Sequence, residues 1–137
     1  MVNFPTFDPG VVERPHREYF QRLKAVMEDP YKNTLGSKEL LSLCAICTAE
    51  TFEIPVEELF LDSFKNKNIS KIRTVAMEVC MDNQPYMTKS EINIFFKKSK
   101  SWYVQNSMFN RTKALLLKKQ TCLNRVKDIV DYLYSPD

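Results

Sequence analysis

The stretch TKSEINIFFKKSKSWYVQNSMFNRTKALL, from Thr88 to Leu116, decides the fold. Thr88-Lys-Ser-Glu91 has the form of a capping box, in which the threonine oxygen takes a first-turn amide and the glutamate reaches back. The helix it opens is short, because Lys97-Lys98-Ser99-Lys100 can form a turn before Ser99 or Ser101 caps the next one. The next helix is expected from about Ser101 to Lys119, with Val104, Met108, Phe109 and Leu115 inward. A short capped helix, a turn of about four residues and a longer helix are the outline of a helix-turn-helix. In that motif the N-terminal residues of the second helix reach base edges in the major groove. Lys100, Ser101, Trp102, Tyr103, Gln105 and Asn106 occupy that place. A plainer reading stands beside it: short helix connections occur in any bundle, and the lysines can be a solvated turn. Adjacent helical positions point about 100° apart, so one of Trp102 and Tyr103 belongs to the core. Lys118 and Lys119 suit the favourable interaction of cations with a helix C-terminus.

Outward from this stretch the pattern stays helical. Pro15 can open a helix in which Tyr19, Phe20, Leu23 and Met27 recur until Asp29-Pro30 stops it. Ser37 is the expected N-cap of a second helix carrying Leu40, Leu41, Leu43, Cys44, Cys47 and Ala49 to about Phe52. Ile54-Pro55 begins a short turn, VEELFL, and a fourth helix runs from about Ser70 to the DNQPY segment. A last helix is expected from Leu123 to Tyr134, separate from the one ending at Lys119. Two glycines in 137 residues, and no alternating runs of Val, Ile or Thr, make the class all-α. The length suits one compact domain, with residues 1–36 as an arm plus an additional helix and residues 37–137 as the helix-turn-helix unit.

The net charge of +3 conceals a polarity. Residues 1–64 carry 6 basic and 11 acidic side chains, a balance of −5, whereas residues 65–119 carry 12 and 3, a balance of +9. Residues 120–137, with 2 and 3, are nearly neutral. A positive segment of this kind is the footprint of a surface that meets phosphate. No run of about 18 apolar residues is present, and the start MVNFPTFDPG lacks the basic-then-apolar order of a signal peptide. The expectation is a cytoplasmic protein that makes no membrane contact. Cys44, Cys47, Cys80 and Cys122 are then expected as reduced thiols. Cys44-Ala-Ile-Cys47 has metal-like spacing but lies in an apolar helical run with no second pair, so core packing is expected and no metal or cofactor. With one histidine, no nucleophile motif and no glycine-rich loop, an enzyme is not expected.

From Leu40 to about Leu116 the order of residues resembles the C-terminal DNA-binding domain of the bacterial replication initiator DnaA, of the Trp-repressor-like class. LLSLCAICTAETFEIPVEELF looks like that family's first long helix and turn, with Phe52, Ile54, Val56 and Leu59 in place. Arg73-Thr-Val-Ala76-Met77 resembles its R-x-x-A-M helix, and Met87-Thr88-Lys-Ser-Glu91-Ile92 its L-S-x-x-E-I helix. Phe96 falls on the phenylalanine before the turn, and Val104 on the valine of the signature G-G-R-D-H-T-T-V. At the tips this chain departs: residues 97–103 replace that signature, and Phe64-Lys65-Asn66-Lys67 replaces a basic Lys-Arg-Arg loop. The ATPase module's G-x-x-x-x-G-K-[ST] is absent.

The resemblance implies a stand-alone binder of double-stranded DNA, a regulator or replication accessory. Lys65, Lys67, Lys71, Lys97 and Lys98 are expected on phosphates, with Lys89, Lys100 and Tyr103 also in the DNA-binding surface. Ser101, Trp102, Gln105 and Asn106 are expected at bases, and Arg73, like its counterpart in the family, is expected at a groove or phosphate. The alternative is a DnaA-like scaffold remodelled to bind a protein, with the aromatic residues as anchors. A homodimer or partner contact through the N-terminal segment is compatible with either.

Overall fold

The computed structural model describes residues 3–14, 16–60, 67–83, 86–96 and 113–134, with side chains of α3 from Ile69 onward. Among the described residues there are five α-helices: α1 (Arg17–Glu28), α2 (Ser37–Thr51), α3 (Lys67–Met81), α4 (Lys89–Phe96) and α5 (Lys113–Tyr134). Two 3-10 turns, Pro9–Val11 and Val56–Phe60, complete the set, and no strand occurs among the described residues. The all-α class is as the spacing of apolar residues implies.

α2 is the centre. Every residue from Glu39 to Ala49 is buried, so the helix has no solvent face over three turns and must be surrounded. α1, α3 and α5 pack around it, and the Val56–Phe60 turn closes one end. Polar atoms inside this layer are satisfied locally: Thr48 Oγ1 donates to the Cys44 carbonyl at 2.8 Å. The Ser42 hydroxyl has the carbonyls of Glu39 at 2.9 Å and of Tyr19 at 3.0 Å within reach, the latter across to α1. α2 ends in a Schellman arrangement, with Ile54 N–H on the Ala49 carbonyl and Glu53 N–H on that of Glu50. Glu53 sits there at φ 56°, the left-handed position that glycine ordinarily takes.

Three boundaries differ from the sequence expectation. Gly36, not Ser37, is the N-cap of α2, and Glu39 Oε2 accepts from the Gly36 amide at 3.0 Å. Since glycine has no side chain, only the reaching-back half of a capping box exists there. α3 begins at Lys67, about one turn earlier than expected. The expected break between Lys119 and Leu123 is absent, because α5 runs unbroken from Lys113 to Tyr134. No glycine or proline interrupts that span, and Thr121 Oγ1 bonds the Leu117 carbonyl, so nothing stops the helix there. The part of the expected helix over residues 101–112, and Pro15, lie outside the described residues.

The N-terminal segment is part of the same core. Val12, Phe20, Leu23 and Val26 are buried together with the apolar faces of α2, α3, α4 and α5. Phe4 meets the ring of Tyr132 at 5.5 Å, and Phe7 meets Phe20 at 6.1 Å. Residues 3–36 thus share one hydrophobic core with the rest, although composition set them apart.

All four cysteines are free and buried, as core packing requires. The Cys80 thiol beside Cys44, together with burial, raises the Cys44 pKa well above its usual value. Burial first, then neighbouring charge, does the same to Cys47. Burial also raises Cys122, against opposing hydrogen bonds from Thr51 and Thr48. Thiolate is the reactive form, so these thiols will react slowly with an aromatic disulfide reagent in native protein and rapidly in denaturant. Fast native reaction of Cys44 or Cys47 contradicts this packing.

Candidate nucleic-acid interface

The site is built from α4 upward. Its capping box forms as expected: Glu91 N–H donates to Thr88 Oγ1 at 3.1 Å, and Thr88 N–H donates to Glu91 Oε1 at 3.0 Å. The Ser37 hydroxyl first, then Thr88, lowers the Glu91 pKa below the usual carboxylate value, against an opposing contribution from burial. A carboxyl whose folded pKa is depressed contributes stability above its unfolded pKa and loses it as pH falls through the folded value. Thr88→Ala is expected to cost about 1 kcal/mol at neutral pH. Glu91→Gln is expected to flatten the acid limb of stability, and urea midpoints at neutral pH and at about pH 3 check both.

Ile92, Phe95 and Phe96 turn one face of α4 into the core, whereas Lys89, Ser90 and Ile94 face solvent. Phe95, 1% exposed, lies in an aromatic cluster. Its ring centroid is 4.8 Å from Tyr19, 4.9 Å from Phe96 and 5.3 Å from both Phe60 and His16. α4 ends at Phe96, immediately before Lys97, so this cluster anchors the last turn of the helix.

The basic residues separate into groups. Lys71 on α3 and Lys89 on α4 are exposed. Lys67 lies in the first turn of α3, with its side chain outside the described set. Lys65, Lys97, Lys98, Lys100, Ser101, Trp102, Tyr103, Gln105 and Asn106 lie outside the described residues. Arg73 departs from expectation. It is 2% exposed, and its Nε donates to the Leu59 carbonyl at 2.6 Å. A guanidinium buried under the Val56–Phe60 turn braces that turn against α3, and in this arrangement it does not reach a DNA groove.

Lys118 and Lys119 also have structural partners. Lys118 Nζ reaches the Thr51 carbonyl at 3.5 Å and lies 5.2 Å from the Phe52 ring centroid. Lys119 pairs with Asp82 at 3.1 Å. The helix C-terminus expected at Lys118 and Lys119 does not exist, since α5 continues past both; the carbonyl that Lys118 reaches is that of the last residue of α2.

The acidic half has its own relief. A cavity of about 270 Å³ lies between the N-terminal segment and the end of α2, lined by Phe7, Val11, Ile46, Ile54, Asp8 and Glu57 among others. Among the described residues no group of His, Cys, Asp or Glu side chains is arranged to hold a metal ion. None of the described helices is long and apolar enough to cross a membrane.

No family model, characterised protein or solved structure matches this chain. Its functional reading therefore stands on its own residues. The placement of His16 is the feature that sequence reasoning missed. As the only histidine, distant from every motif, it carried no periodic signal.

Proposed function

We propose that this chain is a stand-alone binder of double-stranded DNA, with α4 as the first helix of a helix-turn-helix and the segment from Lys97 to Asn106 as its reading element. The observation that carries the proposal is the +9 balance of residues 65–119, with Lys97, Lys98 and Lys100 following at once on a capped, core-anchored helix. Lys71 and Lys89, both exposed, supply further phosphate contacts on this reading, together with Lys65, Lys67, Lys97, Lys98 and Lys100. Ser101, Trp102, Gln105 and Asn106 face the bases. The DnaA-like ancestry of the scaffold belongs to the same proposal, on the motifs around Arg73, Thr88 and Phe96. In it Arg73 keeps a scaffold role and is not a DNA contact.

The test is fluorescence anisotropy of a labelled duplex over a range of salt concentrations. Log affinity should fall linearly with log salt, because each neutralised phosphate releases counterions. Replacing Lys97 or Lys98 by alanine should reduce the slope by about one and weaken all sequences alike. Gln105→Ala should change which sequence is preferred. Absence of binding at low salt rejects the proposal.

A second reading is favoured by the cavity beside Phe7 and Val11 and by the replacement of the DnaA signature at residues 97–103: a scaffold remodelled to bind a protein. Asp8 and Glu57 make that cavity unsuitable for phosphate. Salt separates the readings, since only phosphate binding follows the counterion law.

A further inference from the structure

We infer that His16 is a positioning residue, which sets the C-terminal end of α4, the end that Lys97 follows in sequence. For its consequence on DNA this inference rests on the reading above; for its effect on α4 it does not.

His16 comes from the N-cap of α1, nearly eighty residues before its contact on α4. It is 4% exposed, and its ring stacks on Phe60 with centroids 4.1 Å apart and an interplanar angle of 24°. Edge-on it meets Phe95 at 5.3 Å. Nε2 lies within hydrogen-bond distance of the Phe95 carbonyl. A carbonyl can only accept, so Nε2 carries the proton and donates.

The acceptor gives this bond its meaning. The last four carbonyls of a helix have no intrahelical partner, and Phe95 is the penultimate residue of α4. In a helix of eight residues those four carbonyls are half the total. A ring held rigidly by Phe60 on one side therefore captures an orphan carbonyl two residues before Lys97. Packing of Phe95 and Phe96 holds α4 against the core, but ring contacts are tolerant of small rotations, whereas a hydrogen bond fixes direction. The N-terminal segment thereby supplies the fixed point against which a helix-turn-helix is aimed.

Three variants test this. His16→Leu removes the donor and keeps apolar volume. His16→Gln keeps an amide N–H with comparable reach, and His16→Asn is one methylene too short. The first readout is amide hydrogen exchange at the end of α4 compared with that in α2, under conditions where each variant is folded. The second is anisotropy with a duplex across a salt series. His16→Leu and His16→Asn should speed exchange at Phe95 and Phe96 selectively. They should also weaken duplex binding by about three- to tenfold, the scale of one hydrogen bond, with the salt slope unchanged. His16→Gln should restore both. Should His16→Leu not fold, the Gln and Asn pair decides alone.

Uniformly faster exchange in α2 and α4, or equal behaviour of Gln and Asn, overturns the inference and leaves His16 as core filling. If the unaltered protein fails to bind any duplex, the DNA reading falls. Selective exchange at Phe95 and Phe96 then still decides whether His16 positions α4.

Discussion

Phe95→Ala will lower unfolding stability by about 3–5 kcal/mol, the range for emptying a buried aromatic position. Phe95 is 1% exposed and touches rings from two other parts of the chain, His16 and Tyr19 at α1 and Phe60 in the 3-10 turn, besides its neighbour Phe96. Oriented aromatic pairs add about 0.5–1.5 kcal/mol beyond their buried area, so the loss should fall in the upper part of that range. Collapse of the cavity is restricted because its walls come from α1, α4 and the 3-10 turn. Total stability of a domain is about 5–15 kcal/mol, so the variant should be marginal at room temperature. Chemical denaturation followed by tryptophan fluorescence and by circular dichroism measures it. Phe95→Leu, which keeps most of the apolar volume, should recover a large part. A loss below about 1 kcal/mol for the alanine variant would mean that the aromatic cluster does not hold α4.

Arg73→Ala is expected to cost about 2–4 kcal/mol of stability, from a buried hydrogen bond made by a charged group and from the packing of its long stem. The guanidinium donates to the Leu59 carbonyl from beneath the Val56–Phe60 turn. Removing it withdraws that donor and empties a 2%-exposed position. The same variant separates two roles. A groove-probing arginine leaves stability nearly unchanged and weakens duplex binding directly. A structural arginine shifts the urea midpoint and, in the fraction that remains folded, leaves the salt slope of binding as it was. The burial of Arg73 favours the second outcome, and measuring both quantities on one preparation decides it.

Residues legible in isolation were those whose signal is local. The capping box at Thr88–Glu91 needs four consecutive residues, and both of its hydrogen bonds form. The stop at Asp29-Pro30 and the buried run of α2 are equally local: proline cannot continue a helix, and an all-round apolar helix must be enclosed. Cys44 and Cys47 were readable as core for the same reason, since they sit inside that run. The break placed between Lys119 and Leu123 was an error of weighting. A polar patch with a threonine is tolerated by a helix, whereas glycine or proline is what ends one, and neither is present.

Length, low glycine and helical periodicity by themselves determined an all-α chain, and charge order determined where its positive half lies. Only the tertiary structure decided that residues 3–36 belong to the core, that Arg73 turns inward and that His16 meets Phe95. Helix formation depends on neighbours three and four residues apart, which a sequence displays directly. The Arg73–Leu59 and His16–Phe95 contacts join residues 14 and 79 positions apart. Such pairings exist only once α1, α3 and α4 have packed, because burial and a partner carbonyl are properties of the assembled core.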